Sequence, residues 1–129
     1  MYIDIKTLIS YRQYVGHPTY YYFDKKSYII IQAKNPNEPP KSDTEHYEQY
    51  VPIFQVDEEK IINDYLVQVN NEKFTKDFMK SSLYPFAIAE FLIRHYPDMS
   101  YDWHKFYDAE VCKVAVAWCE QNHIRYKIV

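Results

Sequence analysis

Glycine is almost absent from this chain: Gly16 is the only one in 129 residues. Phosphate-cradling loops and dinucleotide fingerprints need several, because backbone must approach the phosphates with no Cβ in the way. The strained strand-to-helix turn that exposes a hydrolase serine needs glycines too. Nucleotide binding and serine hydrolysis by those routes are therefore excluded. Cysteine is scarce as well, with only Cys112 and Cys119. If both lie on one helix, seven residues separate them by about 10 Å along its axis, beyond the reach of a disulfide. They point to one face and read as small apolar core residues. No Cys-x-x-Cys and no helical His-Glu-x-x-His occurs, so neither a metal nor a cofactor is expected. No apolar run approaches the ~20 residues of a membrane span, and no signal peptide opens the chain. A reducing cytoplasm is the expected location, with no membrane partner. A basic excess is lacking too: Lys and Arg number 15 against 18 Asp and Glu, a net charge of -3. Duplex DNA binding runs on clustered Lys and Arg that displace counterions, so duplex DNA is not an expected partner.

What the chain has in quantity is apolar and aromatic surface, 47% and 19% of its residues, fifteen of them tyrosine. That suffices for a core without disulfides, and the length suits a single globular domain over residues 1–129. Tyrosine joins a large apolar body to one polar tip, so it serves half-buried positions and contact surfaces equally well.

Asp4 to Val15 reads as a first helix, with Asp4 as cap, Ile5, Leu8 and Ile9 as its apolar stripe, and Gly16 as the left-handed stop. Thr19 to Phe23 and Tyr28 to Ala33 read as a β-hairpin turning at Asp24-Lys25-Lys26-Ser27. A mobile Pro-rich loop is expected at about residues 34–46, around Pro36, Pro39 and Pro40. Tyr47 to Val56 supplies a third strand, which Pro52 places at an edge. Asp57 caps a helix whose stripe is Ile61, Ile62, Tyr65, Leu66 and Val69, and Glu58 and Glu59 complement its dipole. After a break at Asn70-Asn71, a short helix near Glu72 to Lys80 puts Phe74 and Phe78 on one face. Pro85 opens a central buried helix through His95. Ser100 caps a short helix with Trp103 and Phe106, and Asp108 caps the last one. There Val111, Val114, Ala115, Trp118 and Cys119 hold core spacing. Ile124 to Val129 closes as a strand. The fold class is α+β: a small antiparallel sheet, hairpin plus edge strands, packed against about five or six helices.

Four segments in this order resemble uncharacterised protein family 0158, a group of small bacterial proteins of unknown function. They are Tyr20-Tyr21-Tyr22-Phe23-Asp24-Lys25-Lys26; Val51-Pro52 with Asp57-Glu58-Glu59 and Asp64-Tyr65-Leu66; Trp103-His104-Lys105-Phe106-Tyr107; and Trp118-Cys119-Glu120-Gln121-Asn122-His123-Ile124. The resemblance spans most of residues 4 to 124 and implies the same fold, but it carries no activity. Two departures stand out. Ser81 to Phe91 lacks the family's glycine and basic residues. His123 replaces the usual glycine at the helix end, leaving Asn122 as the left-handed cap.

Three constellations carry possible chemistry. Strand alternation sends Tyr20 and Tyr22 to one face and Tyr21 and Phe23 to the other. An exposed Tyr20–Tyr22 strip beside Lys25 and Lys26 would contact another protein, or stack the unpaired bases of single-stranded nucleic acid. His104 and Asp108 would share a helical face as an acid/base pair for a small hydrolase, with Asp98, Asp102 and His95 nearby in sequence. The plainer reading is a capping aspartate beside a solvated histidine. Asp57, Glu58, Glu59 and Asp64 would suit a basic partner, although such charge ordinarily just complements a helix N-terminus. With no assembled catalytic group, the expectation is a non-catalytic cytoplasmic interaction or regulatory module whose partner is another protein. Single-stranded nucleic-acid binding and the His104/Asp108 hydrolase are its alternatives.

Overall fold

The computed structural model describes residues 1–41 and 48–128. The class is α+β, and the described residues group into two compact units, Met1–Val56 with Val111–Val129, and Asp57–Glu110. Residues 42–46 of the expected loop, Tyr47 of the third strand and Val129 of the closing strand lie outside the described residues.

In the first unit, β3 (Tyr21–Asp24) and β4 (Ile29–Gln32) form the expected hairpin, and β5 (Tyr50–Pro52) adds to the other side of β3. All pairings in this sheet are antiparallel, in the order β4-β3-β5. Ile53 N–H donates to Tyr21 O and Lys25 N–H to Gln49 O, so the odd-numbered residues of β3 bond toward β5. Pro52 lies opposite the even residue Tyr22, where its absent N–H would have pointed outward. An edge strand is where a proline fits.

The hairpin loop is organised by Asp24, only 7% exposed. Its carboxylate accepts Lys26 N–H at 2.9 Å, Ser27 Oγ at 2.7 Å and Gln49 Nε2 at 3.0 Å. Tyr28 N–H closes the loop onto Asp24 O at 2.7 Å, with Tyr28 at φ 58. Further along, Asn37 N–H bonds Thr19 O, and Thr19 N–H bonds Asn37 Oδ1 in return, both at 2.8 Å. That ties the described part of the Pro-rich loop to the approach of β3.

The first helix is shorter than its sequence pattern predicts. The structure ends α1 (Ile5–Ser10) before Tyr11, and β2 (Gln13–Tyr14) pairs in parallel with β6 (Gln55–Val56). The apolar stripe itself ends at Ile9, and Tyr11 and Arg12 N–H turn back tightly onto Leu8 O and Ile9 O. Gln13 is then drawn into the sheets: its N–H bonds Phe54 O, its Oε1 accepts Tyr20 N–H at 2.7 Å, and its Nε2 donates to Ile53 O at 2.9 Å. Gly16, at φ 89, serves the turn after β2 instead of a helix end. A second parallel pair joins β1 (Ile3–Asp4) to β7 (Tyr126–Lys127).

In the second unit, α2 (Glu58–Val69) is capped as expected, with Lys60 N–H donating to Asp57 Oδ1 at 3.1 Å. It ends at Asn70 in the left-handed conformation, φ 51. Asn71 then caps α3 (Glu72–Lys80), which buries Phe74 and Phe78. The next helix, α4 (Ile88–His95), begins later than Pro85 suggests, because residues 82–86 form turns. It is not buried all round: Ile88, Phe91 and Leu92 face inward, whereas Ile93 is 66% exposed. Beyond a short 3-10 turn at Pro97–Met99 runs α5 (Ser100–Gln121), one helix where two were expected. No proline or glycine interrupts it, so Asp108 lies mid-helix on the surface and caps nothing. Ser100 is not a cap either: it has helical angles, and its buried Oγ has no partner among the described residues.

At its far end α5 closes in a Schellman motif, with Ile124 N–H on Cys119 O at 2.8 Å and His123 N–H on Glu120 O at 3.3 Å. The left-handed residue is His123 (φ 56), not Asn122. An L side chain is disfavoured there, so His123→Gly should stabilise the protein by roughly 0.5–1 kcal/mol in denaturant unfolding. Asp24 yields a second expectation. Burial raises its pKa, but hydrogen bonds from Ser27, Gln49 and Lys26 outweigh it and leave the carboxyl below its ordinary 3.8. The resulting stability is full above the unfolded value and is lost as pH falls through the lower folded one. Asp24→Ala should cost about 1–3 kcal/mol near neutrality, a deficit that narrows in unfolding curves as the pH is taken below the ordinary carboxyl value of 3.8.

Candidate functional site

The sheet of the first unit decides the fate of the expected aromatic strip. Tyr22 is buried, 4% exposed, whereas Tyr20 precedes β3 and is 40% exposed. The two do not form a common wet face. Lys25 is half-buried and Lys26 exposed in the hairpin loop.

His104 and Asp108 do share a face of α5, one turn apart, and both are exposed. No hydrogen bond or ion pair joins them among the described residues. Asp102 instead accepts Tyr65 Oη at 2.9 Å, and His95 lies 5.0 Å from the Phe91 ring. Among the described residues no three His, Cys, Asp or Glu side chains converge as a metal site. His46 lies outside them. Cys119 is buried and Cys112 half-buried. Burial, with Glu120 adding to it, pushes the Cys119 thiol up to about 11, so it stays protonated and inert near neutral pH. The acidic residues at α2 are engaged locally: Asp57 caps, Glu58 accepts Tyr107 Oη at 2.8 Å, and Asp64 pairs with Lys60 at 2.9 Å.

A cleft of about 450 Å³ opens in the second unit, with Lys73, Asp77 and Lys80 of α3 facing Phe91, His95 and Tyr96. Its carboxylate is already held. Asp77 accepts Tyr96 Oη at 2.6 Å and Lys73 Nζ at 3.2 Å, and both bonds keep its pKa below the usual range. The carboxylate of the cleft is thus engaged by its neighbours, while His95, Lys80 and Ser81 also line it.

The feature with unused bonding capacity is β4. Ala33 N–H donates to Tyr20 O at 2.6 Å, which makes the even residues of β3 the ones bonded toward β4. Ile31 and Ile29 lie opposite Tyr22 and Asp24 and point their backbone groups inward. Antiparallel ladders alternate, so the N–H and C=O groups of Ile30 and Gln32 point to the open side. Among the described residues nothing hydrogen-bonds them there, and β4 ends its sheet. Natural edges are usually blunted by lysine, proline or a bulge. Here the edge reads Ile29, Ile30, Ile31, Gln32, and Ile29 is 56% exposed. A cleft of about 240 Å³ lies at its start, walled by Tyr2, Asp4, Thr7, Tyr11, Tyr28 and Ile29. Another, of about 420 Å³, lies at its end, bounded by Ile31, Ala33, Lys34, Pro39 and Pro40. The isoleucine run was visible in the sequence. Which of its backbone groups face outward depends on the register with β3, which the sequence does not contain.

No family model matches this chain, no curated protein matches it, and no solved structure matches it. No helix of the described residues is long and apolar enough to cross a membrane. Amide exchange reads the β4 register directly. The Ile30 and Gln32 amides should exchange orders of magnitude faster than those of Ile31 and Ala33, although all four lie within five residues.

Proposed function

We propose that this chain is a non-catalytic protein-interaction module that takes up an extended segment of another protein as an added strand on β4. One observation carries the reading: a strand edge with outward N–H and C=O groups at Ile30 and Gln32, apolar, unblunted, and flanked by a cleft at either end. Strand addition draws affinity from main-chain hydrogen bonds and specificity from pockets for alternate side chains. An edge with both is equipped for it. The nucleic-acid alternative loses its support with the burial of Tyr22. For the hydrolase alternative, neither His104 nor Asp108 is among the residues that line the three clefts described above. A cytoplasmic location belongs to the same proposal, because both cysteines are free. So does the likeness to family 0158, which brings no activity that competes with a binding role.

The test is selection of random peptides displayed against the intact chain. Gln32→Pro removes one outward N–H that no described residue uses, at an exposed position where an edge strand tolerates proline. Its fold, checked by thermal unfolding, should be unchanged, while affinity for selected peptides should drop roughly tenfold. Ile29→Lys, a charge on the same edge, should weaken them further. Peptides that bind Gln32→Pro and Ile29→Lys as tightly as wild type, or failure to select any, would overturn the reading.

A further inference from the structure

We infer that the cleft at the start of β4 receives the cationic side chain of a lysine or arginine carried by the added strand; this rests on the strand-addition reading and names its partner's chemistry. Three tyrosines line the cleft beside Ile3, Ile29, Ile30 and Thr7, and the one charged residue of the lining is negative. Tyr2, Tyr11 and Tyr28 supply the rings and Asp4 the carboxylate. Tyrosine faces attract cations through the ring quadrupole, and a carboxylate gives such a cation a charge-assisted partner.

The walls are held in place before any ligand arrives. Tyr11 packs edge-to-face on Tyr21 at 5.2 Å, and Tyr28 on Phe23 at 5.1 Å. The Tyr28 hydroxyl also accepts Arg125 N–H at 3.0 Å. Tyr28 occupies φ 58, a conformation that bulky side chains avoid, so its ring is retained there at a cost in backbone energy.

Asp4 is the unengaged group. It precedes α1 without capping it, and its Oδ1 is shut off from solvent with no hydrogen-bond partner among the described residues. Lys127 lies opposite Asp4 in the β1–β7 register. That ammonium rests 5.4 Å from the Tyr2 ring centre and forms no ion pair with Asp4 among the described residues. The chain thus already places one cation on this aromatic surface and leaves the carboxylate uncompensated. At about 240 Å³ the cleft suits one side chain and falls below the size typical of small-molecule pockets. An apolar side chain would fill the volume but bury Asp4 further without a partner, which is costly.

The probe is the set of display-selected peptides that bind wild type and are lost on Gln32→Pro. Those segments should share a lysine or arginine at one fixed position. Replacing it by norleucine should weaken binding to wild type roughly tenfold by calorimetry, and to Asp4→Asn hardly at all. Tyr11→Leu should weaken the lysine or arginine peptide and spare the norleucine one. Asp4 makes no cap, so Asp4→Asn is expected to fold, as unfolding curves would verify. Gln32-dependent peptides with no shared basic residue, or equal norleucine losses on wild type and Asp4→Asn, would overturn this inference and leave strand addition standing. Absence of any Gln32-dependent peptide would remove both.

Discussion

A single side-chain amide holds the first unit's sheets in register. Gln13 is buried, with both ends of its amide engaged: Oε1 takes the N–H groups of Tyr20 and Tyr21, and Nε2 reaches Ile53 O. Its main chain meanwhile pairs with β6. A buried amide of this kind acts as a piece of strand, because it offers donor and acceptor where backbone would. By occupying Tyr20 N–H it sets the limit of the β3–β4 ladder. By binding Ile53 O it fixes the chain where β5 turns toward β6. Asp24 and Gln49 do the equivalent work at the other end of the hairpin, with Gln49 Nε2 donating to Asp24. Buried polar groups are tolerable only when satisfied, and these are satisfied in part across 25 residues, Gln49 to Asp24, and 40 residues, Gln13 to Ile53.

The tyrosine excess acquires a structural meaning from the same principle. Tyrosine hydroxyls donate to carboxylates in several places: Tyr65 to Asp102, Tyr96 to Asp77, Tyr107 to Glu58 and Tyr126 to Glu120. Each ring packs or shields apolar surface while its tip finds an acceptor, as amphipathic aromatics do. Tyr65 is the deepest case. It is fully buried between Trp103 and Phe106, and burial with the Asp102 bond drives its pKa well above the ordinary phenol value. Part of the chain's acidity is therefore used to terminate aromatic packing, which leaves fewer free carboxylates than the composition suggests. Asp4 stands out against that background.

The open edge of β4 follows from the way the sheet is bounded. Trp118 donates its indole N–H to Pro52 O at 3.1 Å and packs against Phe23 and Phe54, so the β5 side of the sheet is occupied. Among the described residues β4 ends the sheet, and two clefts lie beside it.

Several elements were legible in the sequence because their causes are local. Asp57 and Asn71 cap α2 and α3 within three residues, Phe74 and Phe78 repeat at helical spacing, and Asp24 to Ser27 turns the hairpin. Such signals involve neighbours a turn apart, so residue type and spacing determine them. Tertiary structure alone decided the rest. It shortened α1 by recruiting Gln13, merged two expected helices into α5, and buried Tyr22 while leaving Tyr20 half in water. It also set the parity that turns Ile30 and Gln32 outward, and gathered Tyr2, Asp4, Tyr11 and Tyr28 around one cleft. Each of these depends on hydrogen bonds or packing between residues far apart in the chain, and a one-residue shift in strand register would reverse which side chains and amides face water.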